Sequence, residues 1–235
     1  MIASIHVADV GIPGALKLLA SKPQTGSHRR AVPGLRDANI AIGAPLTPKL
    51  LPSPDLKRVG LFAFWDDEAA LDRFESDHAT ARALADGWSA RLEPLRAHGS
   101  WPGLPSEVPK TRVVTQDGPL VVFTLGRLRT TQTLRFGRAS AKAEAQVLAA
   151  PGMIWASGFS RPPFVATCSI WESTDAVTAY AYGTPDAGHP TAIATGVQKP
   201  FHKQEVFIRF RPVATSGTLH GTNPIPASFA VGGAK

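Results

Sequence analysis

Hydrophobic positions along this chain follow two rhythms, every second residue and every three to four, and their alternation divides it into strands and helices. The clearest stretch is in the second half. Phe164 to Trp171 is apolar, β-branched or aromatic, as a buried strand is, and Glu172 to Asp175 supply polar residues suited to opening a helix. An Ala/Tyr-rich helical segment follows, breaks at Gly183 and Pro185, restarts after Gly188-His189-Pro190 and ends before Pro200. Val206, Ile208 and Phe210 then alternate with Glu205, Phe207, Arg209 and Arg211 as a further strand. His189 is thereby predicted at a helix break.

The same arrangement occurs from Val59 to Trp101: an apolar strand ending in Trp65, acidic residues Asp66 to Glu68, an alanine-rich helix carrying His78, and a strand from Trp88 to Leu95. Trp65 aligns with Trp171, which reads as two copies of one unit. Ahead of the first copy, Ile2 to Val10 alternates as a strand, Ala15 to Ala20 forms a short helix, Lys22 to Pro33 a loop and Ala38 to Gly43 a strand, which completes the order βαββαβ. In the second copy, Leu120 to Arg129 is a strand, about Thr131 to Ala150 a helix, and Met153 to Phe159 the next strand. Trp101 to Gly118, with three prolines and two glycines, reads as the connection between copies. The predicted organisation is a ferredoxin-like module over 1–107, a second over 108–212 and a flexible tail over 213–235.

One such module covers only one sheet face with helices. Two in one polypeptide can pack their bare faces together around an apolar space, so the predicted class is α+β, a fused dimeric α/β barrel with its ligand between the modules. The alternative is two separate domains on a floppy linker, which would leave both sheets exposed unless the chain forms a homo-oligomer.

Composition narrows the function classes. With 43% hydrophobic residues over 235 positions the chain can bury a real core. The formal charge of +7 is spread thinly, with His28-Arg29-Arg30 its only basic cluster, which speaks against a nucleic-acid partner. A single cysteine rules out a disulfide framework or a cysteine-based metal cage and points to a cytoplasmic setting. No apolar run approaches the ~20 residues that span a bilayer, so no transmembrane segment is expected. Nothing matches a Ser-His-Asp spacing, a phosphate loop or a GxGxxG turn, so hydrolase, kinase and dinucleotide readings have no support.

Several short runs occur together and in order: FWDDEAALDRF and LEPLRAHGSW in the first copy, GRLRTTQTLRF, CSIW, GHPTAI and FIRF in the second. In these the chain resembles the spheroidene monooxygenase family of carotenoid biosynthesis. The resemblance implies haem b as an iron cofactor, an apolar small-molecule substrate and oxygen chemistry. By the same resemblance His189 is the axial iron ligand, as similar α/β-barrel haem enzymes such as the aldoxime dehydratases hold iron through a histidine in the C-terminal half.

Residue chemistry bears on each candidate. Neutral imidazole is a common haem ligand, and Asp186 or a carbonyl freed by the broken helix could fix its tautomer; the competing reading of His189 is a substitute helix cap ahead of Pro190. Arg129 and Arg135, flanking the helix after the first strand of the second copy, suit haem propionates, whereas Arg138 reads as solvent-exposed. His78 reads as part of a solvated helix face, and His202 merely as neighbouring a strand start. Cys168, three residues before Trp171 as Phe62 is before Trp65, reads as core packing rather than as a thiolate ligand. Without a flavin or nicotinamide motif, electrons must come from an external donor such as a ferredoxin. A haem lyase of the aldoxime dehydratase type and a non-catalytic haem or apolar-ligand binding protein are the alternatives.

Overall fold

The computed structural model describes residues 1–21, 31–47, 53–111, 114, 116–182 and 201–225. In chain order these form β1 (Ile2–Asp9), α1 (Gly11–Ala20), β2 (Leu35–Ala44), β3 (Asp55–Trp65), α2 (Glu68–Asp77), α3 (Ala79–Leu84) and β4 (Trp88–Gly99). The second half continues with β5 (Leu120–Leu128), a 3-10 turn (Thr130–Gln132), α4 (Thr133–Leu148), β6 (Met153–Arg161), β7 (Phe164–Trp171), α5 (Thr174–Tyr182) and β8 (His202–Gly217).

All eight strands close into one antiparallel barrel in the order β1-β3-β2-β6-β7-β5-β8-β4. Within the first half the spatial order is β4-β1-β3-β2, and the second repeats it as β8-β5-β7-β6. Two seams join the halves. β2 meets β6 over the short run Ile42–Ala44, while β4 meets β8 along almost its full length, from Trp88↔Gly217 to Gly99↔Val206.

Period-two alternation decides which side chains enter the barrel. Ile5, Phe62, Phe64, Phe123, Cys168 and Phe210 point inward and are buried, and Phe159 joins them from β6. The Phe62 ring meets Phe123 at 5.1 Å and Phe159 at 5.2 Å, both edge-on. Gly60 leaves room for this contact: a Cβ there would lie 2.6 Å from the Phe159 ring. An eight-stranded barrel has an interior about wide enough for its own side chains, and here aromatic rings from both halves fill it. The apolar ligand space predicted between the modules is therefore taken up by core, a correction that moves the search for a site to the outer faces.

Outward residues of the first half are capped by helices. Leu18, Leu71, Phe74 and Leu84 pack on Ile40, Leu61 and Trp65. The predicted single helix carrying His78 is two, because His78 adopts an extended backbone between α2 and α3. Its Nδ1 accepts a hydrogen bond from Thr80 N at 3.1 Å and its ring stacks on Phe74 at 4.9 Å, so His78 is a helix cap rather than part of a solvated face. Trp65 and Trp171 keep their predicted equivalence: each indole N–H donates to a serine hydroxyl at 2.9 Å, Ser4 in one half and Ser169 in the other.

The segment read as a linker is anchored, since Trp101 is buried and its indole donates to Asp37 Oδ2 at 2.9 Å. Part of the segment predicted as a flexible tail, 213–225, is built into the fold. β8 runs on to Gly217, Leu219 and Ile225 are buried in the barrel core, and Trp88 Nε1 donates to Asn223 Oδ1 at 3.0 Å. Polar composition hid this because the segment has few large apolar residues, of which Leu219 and Ile225 are buried. Among the described residues no helix is long and apolar enough to cross a membrane.

Candidate functional site

Among the described residues, the outer face of the second half is covered more thinly than that of the first. α4 and α5 seal a small cluster of Leu120, Val147, Trp171 and Val177. Val122, Thr124, Val165, Thr167 and Phe207, on the same side of the sheet, stay half-buried. Partly polar, partly covered sheet is where a flat ligand can be accommodated.

At the end of this face where β8 begins, the structure brings Arg129 and Arg135 to one residue, Phe201. Arg129 donates from its backbone N–H to Phe201 O at 2.9 Å and from Nε to His202 O at 3.2 Å. The Arg135 guanidinium lies 4.4 Å above the Phe201 ring and donates to Gln132 Oε1 at 3.3 Å. His189, Asp186 and the predicted second piece of helix lie outside the described residues, so neither arginine's relation to them is described. Arg127 belongs elsewhere, 5.2 Å over the Trp101 ring.

Sequence reasoning passed over His202. Its Nδ1 is 2.7 Å from Glu205 Oε2, its ring meets Phe136 at 5.2 Å, and it rests on Gly126, where a Cβ would lie 2.5 Å from His202 Cδ2. The hydrogen bond from His202 holds the Glu205 carboxyl below its usual range. The signal in the sequence was His202-x-x-Glu205, a spacing that a regular strand would send to opposite faces. A register shift opposite Arg127 and Leu128 skips Lys203, and this bulge returns both side chains to one face. With Nδ1 engaged, Nε2 is the nitrogen left for a metal or substrate.

The other notable pair lies where β4 and β8 face α5. Arg96 and Arg209 are register partners and both are buried. Arg209 Nη1 donates to Thr178 Oγ1 at 3.2 Å and Arg96 Nη1 to Tyr182 Oη at 3.3 Å. Burial, and then the neighbouring Arg96 charge, pull the Arg209 pKa down.

The remaining titratable candidates are structural. Cys168 is fully buried and burial pushes its thiol pKa up, in keeping with the packing reading. A thiol reagent is accordingly expected to leave the native protein unlabelled and to modify one thiol once denaturant is added; rapid native labelling would contradict this burial. His6 on β1 lies under α2, buried, with its Nε2 lacking a hydrogen-bond partner. Glu75 stands 4.0 Å away, but its carboxylate is engaged by Arg91, which also binds Asp72 at 2.6 Å. Burial first, and the Arg91 charge second, lower the His6 pKa to about 4, so the ring is neutral at pH 7. A cavity of about 1080 Å³ opens on the first half between α1 and α2–α3, lined by Leu18, Phe74, Lys17, Arg73, Asp77 and His78. No group of three or more His, Cys, Asp or Glu among the described residues could hold a bare metal ion.

No family model matches the chain. It is 31% identical over 177 residues to a spheroidene monooxygenase of Rubrivivax gelatinosus, an alignment covering 72% of this chain and 65% of that protein. It is 25% identical over 184 residues to a spheroidene monooxygenase of Rhodobacter capsulatus, covering 74% of each. The alignment thus takes in slightly less than two thirds of the length of the Rubrivivax relative. Among solved structures, an aldoxime dehydratase superposes with a TM-score of 0.50 at 9% identity, over 90% of this chain and 80% of that one, a likeness of fold alone. The resemblance read from the residues is borne out by these relatives.

Proposed function

From its likeness to the spheroidene monooxygenases, we propose that this chain is a haem-dependent monooxygenase acting on an apolar, carotenoid-like small molecule. The observation that carries this reading is the alignment with the Rubrivivax protein. Two ferredoxin-like modules fused as a dimeric α/β barrel are the architecture it takes, and the strand order repeated in both halves supports that.

Haem b presents flat apolar faces and two carboxylates, and the residues at the start of β8 fit both in kind. Phe136 and Phe201 offer aromatic surface, and Arg129 and Arg135 offer guanidinium groups for propionates. His189 is the residue that the resemblance assigns to iron. Such a cofactor supplies the redox chemistry that activates oxygen. The chain's part is to orient the substrate and exclude water. His202, its Nδ1 fixed by Glu205, can pass a proton through Nε2 to a ligand on that face. Electrons come from an external donor, and a formal charge of +7 favours an acidic, ferredoxin-like one.

Purified protein mixed with haemin is expected to develop a Soret band that His189→Ala abolishes or strongly shifts and Cys168→Ser leaves nearly unchanged. Loss confined to His202→Ala would move the ligand to β8, and wild-type protein unable to take up haemin would reject the cofactor. The reduced, loaded protein is expected to add an oxygen atom to an apolar polyene only when oxygen is present. Anaerobic conversion of an aliphatic aldoxime to its nitrile, with no polyene oxygenated, would replace the monooxygenase by a lyase.

A further inference from the structure

Of the five large hydrophobic side chains exposed among the described residues, Ile12, Leu16 and Leu56 gather around α1. Ile12 and Leu16 lie one helical turn apart, 45% and 61% exposed, with Pro13 and Ala20 exposed beside them. Leu56 precedes Lys57, whose carbonyl accepts a hydrogen bond from Val10 N at 2.8 Å just ahead of the helix. The other side of α1 is apolar too, with Ala15 and Leu18 buried in the first-half core, and Lys17 is the only charged residue of the helix. By contrast α2, in the same half, turns Glu68, Asp72, Arg73, Ser76 and Asp77 to water. A helix that is apolar nearly all round is one whose outer side is covered by something other than water.

Charge points to what covers it. Between Asp9 and Asp37 the sequence has Lys17, Lys22, Arg29, Arg30 and Arg36 and no Asp or Glu, so this stretch holds five positive charges of a net +7. Arg36 is engaged by Asp66 at 2.9 Å, whereas Lys17 lies exposed on α1 itself. A second copy of the chain is a poor occupant. Isologous pairing would set two such positive stretches against each other, and one face of a helix about 15 Å long offers well under the roughly 800 Å² per partner that a stable interface buries.

We propose that the outer face of α1 docks on an anionic lipid bilayer, with Ile12 and Leu16 entering the acyl boundary and Lys17 staying at the headgroups. Apolar area and positive charge are the two contributions that reversible interfacial binding combines. The proposal rests on the monooxygenase reading only for its purpose, since an apolar polyene partitions into lipid and an enzyme that oxidises it has to meet the bilayer.

The test mixes the full chain, without added haem, with vesicles of phosphatidylcholine alone or of phosphatidylcholine with phosphatidylglycerol, and floats them through a density gradient. Wild type is expected to float with the anionic vesicles and to be released from them by high salt. Ile12→Gln/Leu16→Gln and Lys17→Glu are each expected to bind about tenfold more weakly. Leu148→Gln, which removes a comparably exposed leucine from α4, is expected to bind like wild type. All these side chains face solvent, so melting temperatures are expected to match wild type, which separates lost docking from lost folding. Wild type that stays unbound, that binds both vesicle types equally, or that loses as much binding from Leu148→Gln as from the α1 double variant overturns the proposal. So does a wild-type dimer in solution that Ile12→Gln/Leu16→Gln splits into monomers, because a second copy then covers the strip. The vesicles carry neither haem nor polyene: a protein that floats but never oxygenates keeps the docking surface and loses the function, and one that oxygenates but never floats does the reverse.

Discussion

Phe62→Ala is expected to destabilise the protein by about 3–5 kcal/mol, the range for truncating a fully buried aromatic in a core that cannot collapse. Phe62 has no exposed surface and its ring is met edge-on by Phe123, Phe159 and Phe164, so one substitution strips contacts from β5, β6 and β7 together. For a chain of this size the loss corresponds to a fall in melting temperature on the order of 10 °C. Denaturant unfolding followed by tryptophan fluorescence measures it. Phe62→Leu, which keeps most of the volume, is expected to lose less than about 2 kcal/mol. Equal, small effects from both substitutions would mean that the barrel centre is loosely packed.

The second large effect is on acid stability. His6 titrates near 6.5 when unfolded and at about 4 when folded. A base whose folded pKa is depressed is protonated first in the unfolded state, so its contribution is complete above pH 6.5 and is lost as pH falls toward 4. The total is on the order of 3 kcal/mol. Asp9 and Glu205, held low by Arg58 and His202, act only below their ordinary values of 3.8 and 4.5. His78, lowered by burial and Arg82, adds to the slope, while Glu144, raised by burial, opposes it. The difference between wild type and His6→Leu cancels these common terms. His6→Leu is expected to remove most of the wild-type decline between pH 6.5 and 4.5, since its Nε2 has no hydrogen bond to lose. Parallel stability–pH curves for the two proteins would show that His6 is hydrated or paired after all.

What could be read from the sequence was whatever repeats locally. Trp65 and Trp171 revealed the duplicated strand-helix unit because each closes a buried strand and precedes an acidic helix start, and Cys168 could be placed by its alignment with Phe62. Features that depend on register were hidden. His202 and Glu205 share a face only because one residue bulges out of β8, and Arg96 meets Arg209 only because β4 and β8 seal the barrel. The packed interior was hidden for a related reason: two sheets with apolar inner faces are compatible with a cavity or a core, and side-chain volume at the axis decides between them. Arg129 and Arg135 were proposed from charge and position alone, while their shared neighbour, Phe201, required the fold.

Closure of the strand ring also limits how the molecule can move and associate. Among the described residues every strand has a hydrogen-bonded neighbour on both sides, β2 and β6 only over Ile42–Ala44, so the ring leaves little sheet edge to template another chain. The halves cannot hinge apart without breaking a seam, and the longer one ties eleven residue pairs of β4 to β8. Breathing that admits a ligand is therefore easier in the outer layer of α4 and α5 than across the strand ring.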